Sequence, residues 1–145
     1  MQTETATPAN VHPGVRRWRR LYAAVGAAIV NLAIWTLAVP IAGVDLQATS
    51  GPGSTELEPV PLAAVIIMSL LSSLAGWALL AAFERFTDRA CSIWTIIALL
   101  VLLISYGGPL LGAGLSTGSR ITLALMHTAV AAVLIPVLRS TSPTR

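Results

Sequence analysis

This chain has little charge. Charged residues make up 10% of it, against roughly 25% in ordinary soluble domains. None falls inside four apolar stretches, 21–43, 62–83, 93–111 and 121–138. Cysteine is nearly absent too: a lone Cys91 excludes an intramolecular disulfide. Cys91 reads as a small interface residue, because a reactive thiol needs an electropositive, accessible setting and Arg89 alone is thin support. No alternating strand pattern is visible, and no Gly-rich phosphate loop follows a strand. His12 and His127 with one cysteine make no zinc site. These absences remove the usual groundwork for a soluble enzyme, a redox module or a metal centre. Neither catalysis nor a cofactor is expected.

What is present is length of apolar run. A hydrocarbon core of about 30 Å needs roughly 20 apolar residues at about 1.5 Å rise each, and each of the four stretches is near that size. The expected fold is an all-α membrane protein, a four-helix transmembrane bundle. One membrane domain, 21–138, would lie between a disordered basic tail, 1–20, and a short tail, 139–145. Arg16-Arg17 before an apolar run could pass for an export signal. The run is longer than the roughly 7–15 residues of a signal core and leads into three more spans, so it reads as a retained helix.

The net charge of +3 could suggest nucleic acid, but its placement does not. Arg16, Arg17, Arg19 and Arg20 immediately precede the first span, where arginines anchor topology and meet anionic headgroups. Arg85 and Arg89 lie in the second loop, and Arg139 and Arg145 in the tail. The loop 44–61 carries only Asp45, Glu56 and Glu58, leaving Arg120 as the one arginine on the far side. Basic residues collect on the cytoplasmic side, so both termini are expected in the cytoplasm of a cell-membrane protein. Expected partners are the lipid bilayer and a membrane-protein partner or homo-oligomer, with no nucleic acid.

Helices in lipid associate through small residues and polar contacts. The expected contact faces are Ala24, Ala27, Ala28 and Ala38 in the first span, the pairs Ser69/Ser73 and Ser72/Gly76 in the second, and Ala124, Thr128 and Ala132 in the fourth. Counting from the termini side, Asn31, Ser72, Ser73 and His127 fall about 15–17 Å deep, and Ser105 and Tyr106 about 18–20 Å. An unpaired polar group there is costly. The expectation is a buried cluster of Asn31, Ser72 or Ser73, Ser105 or Tyr106, and His127. Two readings compete for it: interhelical glue, or a ligand or proton site centred on His127. With no carboxylate at that depth, glue is preferred. Glu84 and Arg85, just past the second span, read as a solvated helix end or as a pair at the cytoplasmic mouth. Arg85 and Asp88 are placed to pair at i,i+3, and Phe83, Phe86 and Trp94 suit an interfacial belt.

The loop Ser50-Gly51-Pro52-Gly53-Ser54 is turn-rich, and Pro61 suits the first position of a helix. The stretch Gly107 to Gly114 is apolar yet full of helix breakers, so it must lie among headgroups or pack on the bundle.

Several runs together resemble an uncharacterised bacterial family. They are Gly76-Trp77-Ala78-Leu79-Leu80 leading to Glu84-Arg85, Ile93-Trp94-Thr95, Ser105 with Gly108-Pro109, and Leu123-Ala124-Leu125-Met126-His127 followed by Val130 to Pro136. That family comprises small four-span membrane proteins carrying only a domain-of-unknown-function label. The resemblance covers Arg20 to Leu138. It implies the four-helix architecture and no activity, ligand or catalytic residue. The expected role is a structural or accessory membrane subunit; the alternative is a small transporter or a lipid or small-molecule binder with a mid-membrane polar site.

Overall fold

A computed structural model describes residues 13–51 and 54–142. Four long helices carry the fold: α1 (Pro13–Thr36), α2 (Leu62–Phe86), α3 (Ala90–Ser105) and α5 (Thr117–Ser140), with a five-residue helix α4 (Gly107–Leu111) after α3. Each long segment is apolar enough to cross a membrane, α3 together with α4. Only 17–28% of each span's apolar window is buried inside the bundle. Most of the greasy surface therefore faces outward, which water would penalise and lipid does not.

The helices form a ring, α1–α2–α3–α5, with α2 and α5 also touching across it. Small residues on α1 set the tightest seam. Ala23, Ala24, Ala27 and Ala28 are all buried, and larger side chains from α2 and α5 fill the space they leave. Toward the chain ends, Ala23 and Ala27 pack with Leu80, Trp94, Leu134 and Leu138. Toward the loops, Leu46, Val65, Leu123 and Met126 form a second cluster.

Several expectations need correction. Helix α1 starts at Pro13, so 13–20 is helix rather than disordered tail; residues 1–12 of that tail, His12 included, lie outside the described ones. The loop 44–61 holds a short antiparallel hairpin, β1 (Gln47–Thr49) with β2 (Leu57–Pro59), in register Gln47 with Pro59 and Thr49 with Leu57. Three-residue strands are too short to show alternation in sequence. Trp94 does not join an interfacial belt: it is 3% exposed, and its indole N–H donates to the Gly76 carbonyl at 2.8 Å. Finally, α5 buries Leu123, Met126, Leu134 and Leu138 and turns Thr128 and Ala132 outward. Against the alanines of α1, bulky residues on α5 fill the seam better than a second small stripe would.

Local chemistry shapes the ends. Pro40 has no N–H to give, and the end of α1 widens into a π-turn, Leu37–Ile41. Ala42 then donates to the Leu37 carbonyl and Val44 to Ala38. At the start of α5, Ser116 caps the helix by accepting from the Ser119 amide. Ser119, fully buried, accepts from the Gln47 amide at 3.2 Å and donates to the Asp45 carbonyl at 2.9 Å. One hydroxyl thus fastens the hairpin to the bundle.

Candidate functional site

Three polar assemblies lie along the bundle. The first is at the end of the bundle where α1 begins and α5 finishes. Arg20 sits one turn before the alanine seam and is 3% exposed. Its guanidinium meets the Glu84 carboxylate through both terminal nitrogens, at 2.6 and 3.3 Å. The same group reaches Thr141, with Nε donating to its hydroxyl at 3.0 Å and a terminal nitrogen to its carbonyl at 3.2 Å. A planar fork that contacts a carboxylate on one edge and a backbone turn on the other is what arginine supplies and lysine does not. Three helices are thereby tied at one buried charge.

Beside this tie a groove of about 660 Å³ opens between α1 and α2. Arg16, Arg17 and Arg20 line it from α1; Leu74, Trp77, Ala78, Ala81, Glu84 and Arg85 line it from α2. Arg16 comes within 3.9 Å of Glu84, a long contact for a carboxylate already held by Arg20.

The second assembly is at mid-bundle. The Asn31 amide N–H donates to the Ser69 hydroxyl at 2.9 Å, while its Oδ1 is buried with no hydrogen-bond partner. Ser73, buried on the same helix, donates back to the Ser69 carbonyl at 2.6 Å, and Ser72 does the same at 3.1 Å from an exposed position. Asn31 therefore meets α2 through Ser69, a residue the depth estimate passed over. His127 is half-buried and its Nδ1 lies 2.7 Å from the Leu123 carbonyl on its own helix. A carbonyl can only accept, so Nδ1 carries the proton. Ser105 turns to the Leu102 carbonyl, and Tyr106 pairs with the exposed Thr128 at 2.7 Å. Asn31 reaches across to α2 and Tyr106 to α5, whereas His127 and Ser105 bond within their own helices, and these hydrogen bonds do not join the four residues into the single expected cluster. The reason is local: a mid-helix Ser, Thr or His finds the carbonyl one turn back before it finds another helix.

The third assembly closes the loop end. Arg120 donates to the carbonyls of Leu110, Gly112 and Leu115, capping α4 and its turn with a positive charge where a helix C-terminus wants one. Among the described residues no group of three or more His, Cys, Asp or Glu is placed to hold a metal ion.

Sequence reasoning named Glu84 but not its partner, taking Arg20 for one of four equivalent headgroup anchors. A signal was there. Arg20, Ala24, Ala27 and Asn31 recur at steps of four, three and four, which places Arg20 on the buried seam. Thr141 and Ser119 carried no such signal.

Four apolar helices closed into a ring, with their charges confined to the ends, define a multi-pass α-helical membrane protein. No curated protein and no solved structure matches the chain. Within that class it belongs to a family of unknown function, DUF6069, whose model matches residues 12–144.

Proposed function

We propose that the chain is a non-catalytic accessory protein of the cell membrane, both termini in the cytoplasm, working through helix contact with a partner inside the bilayer. The observation that carries this reading is the outer face of α5. Thr128 and Ala132 are exposed and Ala124 half-buried, at four-residue steps, with the Tyr106–Thr128 hydroxyl pair among them. Small residues let helix backbones approach closely, and the Thr128 hydroxyl, donating to the Ala124 carbonyl of its own helix, adds no unmet donor to that face. Cysteines placed at Ala124, Thr128 and Ala132 in a Cys91→Ala background test it in intact membranes. Crosslinking along this stripe, to a second copy or another membrane protein, and not from Leu100 on α3, is expected. Equal or absent crosslinking from both faces sinks the reading.

A second reading, a small-molecule or proton path at mid-membrane, is favoured by the unpartnered Oδ1 of Asn31. It requires water or ligand to reach that atom. Ser69→Cys, again without Cys91, should then react with a small water-soluble thiol reagent; a silent cysteine speaks against the path.

A further inference from the structure

We infer that the groove between the start of α1 and the end of α2 holds an anionic phospholipid of the surrounding bilayer, its phosphate among Arg16, Arg17 and Arg85 and an acyl chain along Leu74, Trp77 and Ala78. Charge is the first argument. The groove is lined by four arginines and one glutamate, an excess of three positive charges. Arg20 is engaged by Glu84 and Thr141, so the excess resides on the three arginines at the lip. Arginine is suited to phosphate because its planar fork can engage two oxygens at once.

Shape is the second argument. Below the arginines the wall turns apolar, and the alanines at 78 and 81 leave a trough beside Trp77. From Glu84 to Leu74 is ten residues, about 15 Å of helix. That is half of a core about 30 Å thick, the depth to which one leaflet's acyl chain reaches. The volume of about 660 Å³ lies within the roughly 300–1,000 Å³ of small-molecule sites. A soluble phosphate would use the lip and leave the trough without purpose. An acyl-bearing phosphate uses both.

The full chain, reconstituted in phosphatidylcholine vesicles containing brominated-acyl phosphatidylglycerol, tests this through tryptophan quenching. Brominated phosphatidylglycerol should quench at about tenfold lower mole fraction than brominated phosphatidylcholine, and Trp77→Phe should remove most of that preferential signal. Each of Arg16→Gln, Arg17→Gln and Arg85→Gln should weaken the preference about fivefold. Ala78→Leu decides between a site and diffuse attraction of headgroups to basic residues. It fills the trough from an exposed position, leaves every arginine in place, and should abolish the preference. Undiminished preference in Ala78→Leu, or unchanged quenching in Trp77→Phe, overturns the proposal. So does competition by acyl-free glycerophosphoglycerol as effective as that of the intact lipid.

Discussion

Burying a guanidinium is costly unless its charge and its donors are all met, and Arg20 shows how completely this must be done. Glu84 supplies the countercharge, and Thr141 supplies acceptors for the remaining edge. Removing one partner is worse than removing both. Glu84→Ala should destabilise the bundle by about 3–5 kcal/mol in detergent unfolding, whereas Arg20→Met with Glu84→Leu should come out near neutral. A double replacement as damaging as the single one would mean that the pair contributes net stability. At mid-bundle the same logic reverses an intuition about Asn31. Its Oδ1 already lacks a partner, so Asn31→Leu removes an unmet acceptor, and the Ser69 hydroxyl it releases can turn to a carbonyl of its own helix, for a net change within about 1 kcal/mol. Ser69→Ala leaves the whole amide unpaired and should cost more, about 1–3 kcal/mol. Thermal unfolding of the two variants side by side reads the order directly. The residue scale is where the sequence was least legible, because a polar side chain's partner depends on helix rotation, to which depth counting is blind. His127 and Ser105 each bond to a carbonyl of their own helix.

Among elements, the spans were plain and the connections were not. Hydropathy over some twenty residues is a local property, and it survives any tertiary arrangement. The hairpin and α4 instead depend on contacts made from the start of α5. Ser119 holds β1 across 72 residues, and Arg120 holds the carbonyls of α4 and its turn. Arg120→Leu should strip those carbonyls of their donor and raise amide exchange across 107–112 at least tenfold, with the long helices unaffected. Exchange unchanged there would show that α4 stands without its cap. Gly112 is a second test of the same element. A Cβ there would lie 2.6 Å from both the Gly108 carbonyl oxygen and a Leu115 methyl, so Gly112→Ala must shift backbone. Its expected cost is about 1–3 kcal/mol, visible as a lower unfolding midpoint. The run of glycines had marked this stretch as irregular; only the fold shows which of them has no room for a side chain.

For the whole molecule, the arginine distribution bears on orientation and the helix ring on assembly. The proposed orientation requires that Ser140→Cys be shielded from an impermeant maleimide added outside intact cells and that Thr55→Cys be labelled. Both positions are exposed, whereas Thr141 is buried against Arg20 and would report on the tie instead. The opposite labelling pattern would invert the bundle and place the basic groove in the other leaflet.

The bond between Arg20 and Thr141 spans 121 residues, from the first long helix to the end of the last, and this has a bearing on biogenesis. Arg20 and Glu84 can find each other once two helices are inserted, but the Nε donor of Arg20 waits until the last turn of α5 has been made. A chain stalled or trimmed before residue 141 would carry every span and still leave that donor stranded at its heart. At that one atom, the fold closes only when the last helix is in place.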